Sequence, residues 1–283
     1  QRMTPRNIAV TGVPRGGTTL ACHLLDACDD TVALFEPMDI HALDPSPAKA
    51  IGQVDQFYSD TRHQLLASGQ ALSKHRDGTV PDNPFDEPAS DGRRRLVVEH
   101  GAIHVGRPAQ GFTLVIKHNA AFTALLPGLA ARLECFAIVR NPLAVLASWN
   151  TVELPVSQGR VPAGEHFDAA LRLRLDQTPE RLARQVMVLE WFFARFRAHL
   201  PPTRVLRYED IVATGGASLR QAMALTGAAR EDLTPRNTRS IYRATPVNRL
   251  AEALLRQADP SWTRWYDSNA IADLAAALET PPA

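Results

Sequence analysis

Three cysteines are all this 283-residue chain contains, and Cys22, Cys28 and Cys135 are neither even in number nor paired in spacing. A disulfide framework and a zinc knuckle are thereby excluded, and all three read as reduced core thiols. No run of about 18 apolar residues is present to suggest a membrane span. A signal peptide's basic, apolar and small-residue regions are also missing before the first strand-like pattern. The chain is therefore expected to be soluble and cytoplasmic. An excess of one charge is lacking too: 31 Lys and Arg face 30 Asp and Glu, a net +1, so no general basic field points to nucleic acid. Internal repeats and low-complexity tracts are absent.

What remains is an ordinary globular balance, 45% hydrophobic and 22% charged, enough for a sizeable core in one domain spanning 1–283. Short β-branched and apolar runs alternate with longer helical patterns. Strands are expected at 8–11, 32–35, 96–99, 113–116, 136–139 and 204–207, and helices at 18–28, 48–72, 120–133, 142–150, 180–199, 218–226, 248–257 and 269–278. That alternation predicts an α/β fold, with a central parallel sheet flanked by helices on both faces. Residues 75–94 carry Pro81, Pro84 and Pro88 among Asp, Gly and Arg, which reads as a long surface loop.

In an open parallel sheet, ligands bind beyond the carboxyl ends of the strands. Five expected strands deliver chemistry there: the run Gly12 to Thr19, then Glu36-Pro37, Lys117-His118-Asn119, Arg140-Asn141-Pro142 and Tyr208-Glu209-Asp210. The first is the most specific. Its glycines let backbone N–H groups close on phosphate oxygens, and the following helix turns its positive end toward them. In a nucleotide-triphosphatase loop, lysine would follow the second glycine. Here Thr18 follows Gly17 and the cation comes earlier, at Arg15. The lysine that would span β- and γ-phosphates is missing, which suits a nucleotide with a single 5′ phosphate carrying one further group.

The segments Val13-Pro-Arg-Gly-Gly-Thr-Thr19, Ile138-Val-Arg-Asn-Pro-Leu-Ala-Val-Leu-Ala-Ser148 and Tyr208-Glu-Asp210 resemble, in order, three signatures of the sulfotransferase superfamily. Its members use 3′-phosphoadenosine 5′-phosphosulfate (PAPS) and release adenosine 3′,5′-bisphosphate (PAP). The resemblance implies a P-loop-type, sulfotransferase-like sheet and a sulfuryl transfer from PAPS to an acceptor hydroxyl, with no metal. It implies that Pro14, Arg15, Gly16, Gly17, Thr18 and Thr19 hold the 5′-phosphosulfate, and that Arg140 and Ser148 hold the 3′-phosphate. Arg15 and Leu20 stand where many cytosolic members carry lysine and tryptophan, so the loop looks more like the carbohydrate-type and bacterial members. A glycine-rich basic segment near the C-terminus is absent, and Arg239-Ser-Ile-Tyr-Arg243 or Asn248-Arg249 is the candidate substitute. Tyr208 either edges the adenine or is a buried structural tyrosine.

Arg15 and Lys117 are the expected cations for the leaving phosphate. The acceptor hydroxyl needs a base, and Glu36 is preferred, since Leu34-Phe-Glu-Pro-Met-Asp39 is similar to the Glu-Pro segment of carbohydrate sulfotransferases. His118 is the alternative, offset by one residue from the family's lysine–histidine pair, and His41 and His100 stand behind it. Glu209 and Asp210, read as adjacent on a strand end, favour structural contacts over a magnesium site. The stretch 39–94 is expected to form an acceptor-side insert, with a sugar hydroxyl as acceptor and Arg93-Arg94-Arg95 as a solvated charge run rather than a contact to an anionic acceptor. Two rival readings are a P-loop nucleotide kinase and a non-catalytic nucleotide-binding module.

Overall fold

Val32 and Leu34 pack into one apolar cluster while Ala33 and Phe35 pack into another, and Cys135, Ala137 and Val139 divide from Phe136 and Ile138 in the same way. Strands whose two faces are both apolar belong inside a sheet covered on both sides. The computed structural model describes residues 4–280 and bears this out. Its strands are β1 (Arg6–Gly12), β2 (Thr31–Phe35), β3 (Gln70–His75), β4 (Glu99–His104), β5 (Thr113–Lys117), β6 (Glu134–Val139) and β7 (Val205–Arg207). Five form one parallel sheet in the order β2-β5-β1-β6-β7.

On one face lie α2 (Pro47–Ser68), α3 (Ala120–Leu129), α4 (Pro142–Trp149), α7 (Arg181–His199), α10 (Val247–Leu255) and α11 (Ser268–Glu279). The other face is covered by α1 (Thr18–Asp26), α8 (Tyr208–Ala213) and α9 (Ala217–Ala222). Two short helices, α5 (Pro162–Glu165) and α6 (Ala169–Asp176), precede α7. Local chemistry sets several starts: Asn141 accepts the Leu143 N–H at 3.0 Å ahead of Pro142, and Glu180 accepts the Ala183 N–H at 2.9 Å. No described helix is long and apolar enough to cross a membrane. All three cysteines are free and buried.

Three expectations need correcting. The helix expected at 48–72 ends at Ser68, because Gly69 takes a left-handed cap (φ 71°) and the chain then runs into β3. The strand expected at 96–99 is displaced to Glu99–His104, where it pairs antiparallel with β3 in a separate two-stranded sheet; Leu96 is 46% exposed and only bridges Phe85. Residues 47–68, expected within an acceptor-side insert, are a crossover helix of the main core. Ala50, Val54 and Leu65 are fully buried there, and the Tyr58 hydroxyl donates to the Ile8 carbonyl at 2.7 Å.

Candidate active site

β1 lies between β5 and β6, so the chain switches sides at its carboxyl end, where a crevice opens. The glycine-rich loop fills that position. Its hairpin closes through Gly16 N–H to the Val13 carbonyl (2.8 Å) and Val13 N–H to the Ile138 carbonyl (3.1 Å), and the Trp149 indole N–H holds the Pro14 carbonyl (2.8 Å). Gly17 sits at φ 92° with the Tyr208 ring against it; a β-carbon would come within 2.6 Å of that ring. Among the described residues no side chain caps α1, and Gly17, Thr18 and Thr19 at its start line a cleft. That cleft, about 160 Å³, is also bordered by Pro14, Arg15, Glu36, Lys74, Lys117, Arg140 and Tyr208.

Two electrostatic groups flank the loop. In the first, Glu36 follows β2 with a left-handed backbone (φ 45°), a strained setting for a non-glycine residue. Its carboxylate accepts from Lys117 Nζ at 2.8 Å and Lys74 Nζ at 2.5 Å. Lys74 and Lys117 are two of only three lysines in the chain. Burial alone would raise the Glu36 pKa, but the two ammonium groups outweigh it and hold the carboxyl well below the usual range. Burial lowers the Lys117 pKa, and Glu36 opposes that shift.

The second group is cationic. Arg15, also left-handed (φ 69°), turns toward Ser148: Nε donates to Ser148 Oγ at 3.2 Å, with Phe85 stacked 4.2 Å from its guanidinium. Sequence reading placed Arg15 with Lys117 at the leaving phosphate; the structure instead groups its side chain with Arg94, Arg140, Arg239 and Tyr242. Burial and the neighbouring Arg94 lower the Arg15 pKa to about 9. Arg140 is 4% exposed and spans several partners, donating to Asn237 Oδ1 (2.7 Å), the Arg15 carbonyl (3.0 Å) and the Arg236 carbonyl (2.6 Å). Glu209 props this arrangement from the first turn of α8, not from a strand end as expected, by accepting from the Asn141 N–H, Asn237 Nδ2 and the Tyr266 hydroxyl. Asp210 is exposed.

Neither protein-family models nor curated proteins yield a match to this chain. Its site is read from its own geometry.

Of the alternative bases, His118 is buried, and its Nε2 accepts the Met38 N–H at 3.2 Å. The neutral ring therefore carries its proton on Nδ1 and has no free lone pair. Burial depresses its pKa to about 3. His100 Nε2 contacts the Pro37 carbonyl at 2.9 Å, and His41 is exposed. All three histidines line a second cavity of about 630 Å³, with Met38, Ile40, Val156 and Val161 among its mostly apolar walls. It meets the first cleft at Pro14, Glu36, Lys74, Asn119 and Leu154. Asn119 Oδ1 is buried there without a partner among the described residues.

Arg243 is not brought to the site; it bonds the Thr280 carbonyl, and Arg249 pairs with Glu180 on the surface. Tyr242 and Arg239 are the members of that segment that reach the cations. Tyr208 is 4% exposed yet still edges the cleft, with the Arg140 guanidinium 4.7 Å from its ring. Sequence reasoning missed Lys74 and Arg94. Arg94 is fully buried, whereas Arg93 and Arg95 are exposed, so the run is not uniformly solvated. The reason is local: Arg94 bridges Val152 in extended backbone, and alternate side chains of extended chain point to opposite sides.

Proposed function

We propose that this chain is a PAPS-dependent sulfotransferase on a P-loop-type fold, acting on a hydroxyl-bearing acceptor. The observation that carries the reading is one cleft that gathers an anion-binding loop and several cations. The uncapped start of α1, Lys117, Arg15 and Arg140 line it, with Ser148 held by Arg15. A nucleotide phosphorylated at both 5′ and 3′ positions has the matching charge pattern. The missing lysine after Gly17 disfavours a triphosphate by comparison.

PAPS supplies an activated sulfuryl group. Gly16, Gly17, Thr18 and Thr19 would hold its 5′ end through backbone and hydroxyl donors, and Lys117 would neutralise the charge that develops on the leaving phosphate. Arg140 and Ser148 would hold the 3′-phosphate, with Tyr208 at the nucleotide's edge. Glu36 stands where both cavities meet and takes the acceptor's proton as its oxygen attacks. While two lysines grip it, Glu36 is a weak base. Lys117, once turned to a phosphate oxygen, releases it and restores basicity. The apolar wall of the second cavity suits an acceptor hydroxyl on an apolar body better than the sugar suggested by Glu36-Pro37, with Asn119 Oδ1 free to orient that hydroxyl.

Thermal or denaturant unfolding with ligand tests this. PAP at about 100 times its dissociation constant should stabilise the native state by about 2.7 kcal/mol. Magnesium-ATP should do much less at equal concentration. Equal or larger protection by magnesium-ATP would replace the reading with a nucleotide kinase.

A further inference from the structure

Arg94 is hard to explain as a structural residue. Its side chain is fully buried, yet Nε and Nη1 have no hydrogen-bond partner among the described residues. Only Nη2 is used, donating to Thr151 Oγ1 at 2.8 Å and reaching Ser148 Oγ at 3.4 Å. The Tyr242 hydroxyl, which accepts from Arg140 Nη2 at 3.5 Å, lies nearby. Around Arg94 stand Arg15, Arg140 and Arg239, and among the described residues no carboxylate is paired with it. An uncompensated buried guanidinium among like charges is costly to keep unless an anion completes it. The backbone holds it in place regardless: the Arg94 N–H donates to the Thr151 carbonyl (3.0 Å), and the Glu153 N–H donates to the Arg94 carbonyl (3.3 Å).

We propose that Arg94 and Tyr242 are phosphate-binding residues that, with Arg15, Ser148 and Arg140, enclose the nucleotide's 3′-phosphate, Arg94 presenting its idle Nε and Nη1 edge as a fork. This rests on the sulfotransferase reading. Guanidinium edges suit phosphate because two parallel N–H donors match two of its oxygens. Phe85, stacked on Arg15 and lining the cleft, closes the pocket from that side; phosphate enters when this stack parts. The Tyr242 hydroxyl, accepting from Arg140 Nη2, keeps its own O–H to donate to a phosphate oxygen. It is faced by Arg140, Arg15, Arg94, Ser148 and Tyr208; burial would raise its pKa, but the three guanidinium groups bring it down to about 7.

The test is calorimetry on the full chain and its Arg94→Gln and Arg94→Lys variants, with PAP, AMP and inorganic phosphate as probes. Arg94→Gln should weaken PAP roughly 10- to 100-fold, the scale of a lost charged hydrogen bond, and leave AMP unchanged. Arg94→Lys should recover only part, having charge without the fork. Unchanged PAP affinity in a folded Arg94→Gln overturns the proposal. So do parallel losses on PAP and AMP with a lowered melting temperature, which would mark a structural role. If the wild type binds no adenosine nucleotide, the sulfotransferase reading falls on its own and inorganic phosphate decides the site. Phosphate bound more tightly by wild type than by Arg94→Gln upholds it; equal or no binding overturns it.

Discussion

Replacing Glu36 by Gln keeps the side chain's shape and removes its charge and its proton-accepting power. The structure sets two separate costs. Glu36 holds Lys117 and Lys74 at 2.8 and 2.5 Å, and the Lys117 side chain is 2% exposed while those of Glu36 and Lys74 are 21% and 34% exposed. Breaking a buried ion pair by removing one partner costs about 3–5 kcal/mol; the partial exposure of Glu36 and Lys74 places this variant at the low end, about 3 kcal/mol. Lys117 is left without a carboxylate, and its pKa falls further below the ordinary value. The second cost is catalytic: loss of a general base lowers turnover about 10²- to 10⁴-fold. PAP affinity should survive, because the freed ammonium groups still face the cleft. Denaturant melts, PAP calorimetry and release of PAP from labelled PAPS on one acceptor measure the three quantities together. Near-wild-type turnover in a folded Glu36→Gln would refute the assignment of the base, and unchanged stability would refute the ion-pair triad.

Arg140→Ala should weaken PAP by about 2–4 kcal/mol, the scale of a lost charge-assisted pair, and unchanged affinity in the folded variant would remove Arg140 from the site. His118→Gln should keep most turnover, since the amide oxygen can take over the Met38 N–H that His118 Nε2 accepts. It should also flatten the acid limb of stability. Burial holds the native imidazole at about 3 against an ordinary 6.5, so below about pH 6.5 the unfolded chain binds the extra proton and stability falls with pH until about 3. Urea midpoints at pH 7 and 5 compare the slopes; equal slopes would contradict the buried neutral His118, and collapse of turnover would return the base to it.

Much of the sheet was legible because each central strand is a short apolar run bounded by a polar turn, and the five strand ends that carry Gly12, Glu36, Lys117, Arg140 and Tyr208 do belong to one parallel sheet. The excursion between β2 and β5 was harder. Gly69 is the local signal that stops α2, but β3 alternates Ala71, Ser73 and His75 on its buried face, too polar a pattern to stand out as a strand. Lys74 therefore could not be placed beside Glu36. Arg94 gave less warning still: its burial depends on backbone bonds to Thr151 and Glu153, more than fifty residues along the chain. Arg239 and Tyr242 were separable from Arg243 only in three dimensions, where the short helical turn Ser240–Ala244 sends Arg243 to Thr280 and Tyr242 inward.

Sulfuryl transfer itself is the most direct test. The chain is incubated with labelled PAPS and a panel of phenols, apolar alcohols, lipids, sugars and peptides in the presence of EDTA. The account predicts acceptor-dependent release of PAP, one PAP for each sulfate ester formed, undiminished by chelation and strongest on an acceptor with an apolar body. No transfer to any acceptor, together with magnesium-dependent phosphoryl transfer from ATP, would contradict it.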